Sequence, residues 1–290
     1  MTSPPKGTAQ LAHYFPARVR KAIYRVTEGL AWRRKLWRHE NWFFGKWVEL
    51  TGNRFKIDDL VFGLDDPTIR TASKSQFLFN LYEQPEIALV KKYVQPDVPI
   101  IELGGCIGVV SCVANRLLTN STQHIVLEAN PAVLDALKAN RDRNGCHFRV
   151  EHAAIGYASA HVEFYVNSGF MSGSTFRKTE QKIAVPAITI ERLADQSQFA
   201  RFNLLADIEG AEIDLVEHES EFLARHVQRI LLETHPHIVG QAAVNRMIDT
   251  LRSVGFDVLE QTGLQLVMEN LALGRRGDGD NQLAPEKSQP

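Results

Sequence analysis

The chain of 290 residues has only three cysteines, Cys106, Cys112 and Cys146. They form no C-x-x-C pair, which excludes a disulfide framework and gives no sign of a zinc site. A reducing cytoplasm is the simplest compartment for such a chain. No apolar run reaches the roughly 18 residues that a spanning helix needs. The N-terminus, MTSPPKGTAQ, lacks the apolar core of a secretory signal. There is no internal repeat. The N/D-P-P-Y/F tetrapeptide is also absent, which disfavours a nucleic-acid partner. Net charge is close to balanced, at -1, so neither sign dominates the whole chain.

That balance hides an asymmetry. Residues 1–60 hold 12 Lys+Arg against 5 Asp+Glu, a net of +7, and the remainder holds 21 against 29, a net of −8. A basic arm on an acidic body suggests an anionic partner for the arm. All four tryptophans lie in this arm: Trp32, Trp37, Trp42 and Trp47. Their five-residue spacing turns a helix by about 500° per step, so the stripe drifts around it. Val19, Ile23, Val26 and Leu30 do keep helical spacing. Three readings of the arm stand side by side: a structural helix packed on the body, a peripheral contact with an anionic membrane surface, and nucleic-acid binding. The expected organisation is a basic, Trp-rich extension over 1–52 with helical character, one domain over 53–271, and a polar tail over 272–290 without fixed structure.

The body alternates strand and helix patterns. Short strands and turns are expected over 53–80, then a helix over 86–93 with Pro85 in its first turn. Strands follow at 99–103, 124–127, 148–155, 203–207 and 229–233, with helices at 109–118, after Asn130-Pro131, from Ala211, and at 244–254. The last two strands, 256–260 and 264–268, are joined by Thr262-Gly263, too short a link for a parallel crossover, so that pair must be antiparallel. Such alternation predicts an α/β fold with a doubly wound, mostly parallel sheet.

The chemistry centres on Ile100-Ile101-Glu102-Leu103-Gly104-Gly105-Cys106-Ile107-Gly108, which follows a strand and opens a helix. Glycines let the backbone turn sharply and approach a ligand, and free N–H groups at a helix start favour polar or negative groups. The spacing is G-G-x-x-G, not the G-x-G-x-x-G of dinucleotide folds. Glu128 ends the next strand, 20 residues beyond Gly108. An acid there can accept the ribose hydroxyls of an adenosine. Glu102, already inside the first turn, would repel a pyrophosphate but could pair with the amino group of a methionine moiety. Two acids so placed fit S-adenosylmethionine better than NAD.

These segments resemble the FkbM-type methyltransferase family. The likeness is carried by Leu81-Tyr82-Glu83, by the run from Glu102 to Gly108, and by Leu127-Glu128-Ala129-Asn130-Pro131. It continues through Ala153-Ala154-Ile155-Gly156, Ser172-Gly173-Ser174, Asp207-Ile208-Glu209-Gly210-Ala211-Glu212 and Leu232-Glu233-Thr234-His235-Pro236. The family implies a seven-stranded, Rossmann-like methyltransferase sheet and transfer of a methyl group, usually to oxygen on a sugar, glycan or small metabolite. It implies cofactor contacts from Glu102, Gly104, Gly105, Cys106, Gly108, Glu128, Ala129, Asn130, Ala154 and Asp207. The chain departs from the family at Gly105-Cys106, where Ala-Asn is usual, and at Leu205, where a lysine is usual. The second departure leaves the acceptor class open.

Asp207, Glu209 and His235 lie at strand ends where catalytic groups would stand. Three roles remain open for them: holding a divalent metal that binds the acceptor oxygen, His235 acting as base without metal, or capping and positioning alone. His235-Pro236-His237 taken by itself reads more often as a solvated loop. Ser172 to Thr175 is either a loop over the acceptor or a plain surface loop. The rival to an enzyme is a non-catalytic binding protein on the same scaffold.

Overall fold

The computed structural model describes residues 41–166, 173–174 and 181–274. Residues 1–40 of the basic arm, Ser172, Thr175 and the tail beyond 274 lie outside the described residues. The arm's last stretch is a helix, α1 (Trp42–Leu50). Its Asn41 side chain caps it by accepting from the N–H of Phe44, and Gly45 and Val48 are buried. Trp47 packs against the core, whereas Trp42 and Phe43 stand largely exposed. A hairpin follows, β1 (Arg54–Ile57) with β2 (Leu60–Gly63). A 3-10 turn over Thr71–Lys74 and one helical turn, Ser75–Leu78, follow where short strands and turns were expected.

The body then runs α2 (Gln84–Tyr93), β3 (Ile100–Leu103), α3 (Val109–Leu117), β4 (His124–Glu128), α4 (Leu134–Arg143) and β5 (Arg149–His152). Next come β6 (Ala154–Ile155), β7 (His161–Val166), β8 (Gly173–Ser174), β9 (Gln181–Ile188) and α5 (Ile190–Ser197). The chain closes with β10 (Phe202–Ala206), α6 (Glu212–His226), β11 (Val227–Glu233), α7 (Gln241–Ser253), β12 (Phe256–Thr262) and β13 (Gln265–Asn270). Seven strands form the central sheet in the order β12-β13-β11-β10-β3-β4-β5. All neighbours pair parallel except β13, which is antiparallel to both β11 and β12. This is the doubly wound α/β fold with an antiparallel last strand that the alternation predicts.

Strand periodicity explains the two faces. Successive side chains on a strand point to opposite sides. Ile100, Val126, Leu205 and Leu231 enter one core, with α2, α3 and α4. Ile101, Leu103, Ile125, Leu127, Leu204 and Ala206 enter the other, with α5, α6 and α7. Burial on both faces is why β3, β4 and β10 read as nearly unbroken apolar runs.

Two features were not legible as drawn from sequence. The strand expected over 148–155 is split. His152 is the last residue paired with β4, and Ala154–Ile155 leaves to pair with Ala187–Ile188 instead. The cause is position: β5 is the sheet's edge, with no strand beyond to hold the chain on course. The second is a small sheet, order β6-β9-β7-β8, whose β7, β8 and β9 lie where no strand was anticipated. Among the described residues no helix is long and apolar enough to cross a membrane.

Candidate functional site

From β3 the chain continues to β4 and β5 on one side, and later returns as β10 on the other. The β3/β10 boundary is therefore the switch point, where open α/β sheets bind ligands beyond their strand ends. A pocket opens there. Its walls come from Gly104 and Cys106 after β3, Glu128 to Asn130 after β4, Ala153 to Ile155, Asp207 to Glu209 after β10, and Tyr82 with Glu83 before α2.

The turn after β3 is built on close approach. Gly104 has φ +90°, and a Cβ there would lie 2.0 Å from the carbonyl oxygen of Asp207. Gly104 N–H donates to the Leu127 carbonyl at 2.9 Å. Cys106 holds φ +46°, a left-handed conformation that costs an ordinary side chain about 1–2 kcal/mol. It is held there by its own N–H, which donates to Glu128 Oε2 at 2.6 Å. Glu128 Oε1 accepts from Asn130 N–H at 2.7 Å. The Glu128 carboxylate thus ties the two ligand-facing turns together, and burial pushes its pKa up to about 7 against the pull of those N–H groups.

The turn after β10 is equally specified. Glu209 and Gly210 both have positive φ, +53° and +103°. Glu212, at the start of α6, closes the turn by accepting from Ile208 N–H at 2.8 Å and Gly210 N–H at 2.9 Å. Carboxylates in a helix's first turn also suit its dipole.

Behind this turn sits His235, only 4% exposed. Its Nε2 is 3.3 Å from Asp207 Oδ1 and 4.0 Å from Glu209 Oε2, and its Nδ1 is 3.4 Å from Glu212 Oε1. The solvated loop expected for His235 is therefore corrected: the ring is buried among carboxylates. Burial pulls its pKa down, but Asp207 and Glu212 outweigh that and hold it up at about 11. Those two ion pairs favour the charged form of the ring.

Acidity is the site's dominant property. Burial raises Glu83 to about 8, with Asp207 and Glu233 adding to the effect. Glu86 is raised for the same reasons, burial and then Glu83, and Glu209 rises to about 7, chiefly by burial. Among the described lining residues none is lysine or arginine.

Most of the expected cofactor residues line this pocket: Gly104, Cys106, Glu128, Ala129, Asn130, Ala154 and Asp207, with Glu209 beside them. Gly105 and Gly108 shape the turn from behind, since a Cβ on either would strike Val126 or Leu137. Glu102 must be corrected. It lies between Ile101 and Leu103 and therefore points to the opposite face of the sheet. There it is 3% exposed and accepts from Ser111 Oγ at 2.6 Å, with His124 Nε2 at 2.9 Å. It is a core hydrogen-bonding residue, not a ligand contact. The metal set Asp207, Glu209 and His235 is also corrected: among the described residues the groups gathered within 4.8 Å are Asp207, Glu212 and His235, and Glu83, Glu86 and Asp207, with Glu209 in neither. Glu212 was overlooked because it sits inside the helix start, where a capping role is the usual explanation. Tyr82 and Glu83 were noticed as a motif without a role, and they form one end of the pocket. Phe164 was missed, because only the split of 148–155 brings β7 over the site.

Fold and site together define an α/β protein with an acid-lined ligand pocket at the switch point of its sheet. A sequence model of the methyltransferase FkbM domain matches residues 102–258, and the chain belongs to that family. No curated protein sequence matches it. Among solved structures it is similar to a ribosomal protein L11 methylase from Lactobacillus delbrueckii subsp. bulgaricus (13% identity over 64% of this chain and 77% of that one, TM-score 0.39). It is similar to precorrin-6y C5,15-methyltransferase from Geobacter metallireducens (15%, 71% and 95%, 0.41). It is likewise similar to an O-methyltransferase from Bacillus cereus in complex with SAH (13%, 64% and 80%, 0.40). Likeness this distant says nothing of activity, and the fold assignment rests on the strand order.

Proposed function

We propose that the chain is an S-adenosylmethionine-dependent methyltransferase acting on a hydroxyl oxygen of a sugar, glycan or small metabolite. The observation that carries this is a switch-point pocket lined by carboxylates and, among its described residues, by no cation. A dinucleotide would bring its pyrophosphate against Glu83, Glu128 and Asp207. A ligand with a sulfonium and an ammonium group brings positive charge instead. The residues fit it: Glu83, Glu128 and Asp207 all stand on the pocket wall.

In this reading Glu128 accepts the ribose hydroxyls with the lone pairs that Cys106 and Asn130 leave unused. Leu127, Ala153, Ala154, Ile155 and Phe164 form the apolar slot for the base. Glu83 and Asp207 receive the amino group at the other end. When bound, the cofactor supplies a sulfonium methyl that passes in line to the acceptor oxygen, the C–S electron pair staying on sulfur. A hydroxyl must shed its proton as the C–O bond forms, whereas an amine sheds it afterwards. Asp207 and Glu209 stand on the pocket wall where that proton can be received. The surrounding protein supplies orientation, which can account for much of the rate.

The test is release of S-adenosylhomocysteine from S-adenosylmethionine across a panel of hydroxylated acceptors. Turnover by the intact protein and none by Asp207→Asn is the expected result. Full activity in that variant sinks the role of Asp207. Failure of the intact protein even to bind S-adenosylhomocysteine would favour the non-catalytic scaffold.

A further inference from the structure

The acidic end of the pocket holds more than the proposed cofactor needs. Asp207, Glu212 and His235 each bring one ligand atom within 4.8 Å of the others. Glu212 is fixed in place by the Ile208 and Gly210 N–H groups, and His235 is held where β11 ends. Yet these neighbours do not satisfy one another. His235 Nδ1 and Asp207 Oδ1 are both buried without a hydrogen-bond partner, although Glu212 Oε1 lies 3.4 Å from Nδ1 and Nε2 lies 3.3 Å from Oδ1. The contacts have ion-pair distance without hydrogen-bond alignment. Buried polar atoms in folded proteins are normally paired, and an unpaired cluster calls for a missing partner.

We propose that Asp207, Glu212 and one ring nitrogen of His235 bind a divalent cation of the Mn2+ type beside the acceptor. Two carboxylates and an imidazole make a mixed oxygen–nitrogen set. That suits first-row transition ions better than Mg2+ or Ca2+, which prefer oxygen throughout. Glu212 is already oriented by backbone N–H groups, as carboxylates at metal sites commonly are. Asp207 belongs both to this cluster and to the pocket wall. A cation held there faces the acceptor hydroxyl and favours loss of its proton. Only this last role depends on the methyl-transfer reading; the binding itself does not.

Full-length, chelator-stripped protein is titrated with MnCl2 while free Mn2+ is read by electron paramagnetic resonance. One Mn2+ per chain is expected. His235→Ala and His235→Gln should each weaken binding by about tenfold or more. Glu221→Gln, exposed on α6 and nine residues beyond Glu212, should leave it within about twofold. S-adenosylhomocysteine binding, measured in parallel, reports whether each variant is folded. Absence of Mn2+ binding at about 1 mM, or wild-type affinity in both His235 variants, overturns the site. Mn2+ binding without S-adenosylhomocysteine binding leaves the cation site standing and removes the methyl-transfer reading. The reverse result removes the cation site alone.

Discussion

Glu128 gives the sharpest prediction, because its role can be read against pH. Its carboxyl is 6% exposed and burial raises its pKa to about 7 in the ligand-free protein. Ribose hydroxyls donate best to the charged form, so binding draws the pKa down and releases a proton. At pH 8 about nine-tenths of the ligand-free protein has the charged form, and at pH 6 about one-tenth. Affinity scales with the competent fraction, so S-adenosylhomocysteine should bind about tenfold more weakly at pH 6. Glu128→Gln removes the titration and the charge-assisted bonds, worth about 1.5–3 kcal/mol, or roughly tenfold to a hundredfold at pH 8. Its affinity should be flatter across the same range. Glu83 and Glu209, at about 8 and about 7, titrate there too, so the comparison between the two proteins carries the test. Calorimetric titration at pH 6, 7 and 8 is the assay. An equal slope in both proteins would refute the assignment. The same raised pKa has a second sign. The folded state holds this proton between pH 4.5 and about 7, so Glu128 makes the ligand-free protein less stable as pH rises through that window.

Three further outcomes follow from the geometry. Gly104→Ala should lose more than about 3 kcal/mol in urea unfolding, because its Cβ would meet the Asp207 carbonyl in a left-handed backbone; wild-type stability would mean the turn is not so tight. Cys106→Gly should stay within about 1 kcal/mol of wild type, while the β-branched Cys106→Val loses more than about 2 kcal/mol; equal stability of the two would contradict the left-handed conformation. Glu102→Leu should cost about 2–5 kcal/mol by stranding Ser111 and His124, yet leave S-adenosylhomocysteine affinity of the folded protein within about threefold. A large loss of affinity would restore Glu102 to the site.

The central sheet was legible because burial on both faces writes nearly unbroken apolar runs such as Ile125–Leu127 and Phe202–Ala206, and because Gly255 and Thr262-Gly263 punctuate the end. The pocket was legible where function shapes the backbone, as at Gly104 and Asp207-Ile208-Glu209-Gly210. Glu102 was misplaced because motif position alone says nothing about which face a strand residue takes; alternation with Ile101 and Leu103 decides it. His235 was expected near Asp207 and Glu209 and lies there; its burial was not legible, because the His-Pro-His segment reads as a loop. β7 and β9 escaped notice because charged residues such as Glu163 and Lys182 break their apolar signal.

The most direct measurement is a crystal structure of the protein grown with S-adenosylhomocysteine. The account predicts adenosine in the slot beside Ala154 and Phe164, ribose hydroxyls on Glu128, and the amino group at Glu83 and Asp207. Ligand bound elsewhere, or a pocket that stays closed at saturating ligand, would contradict it.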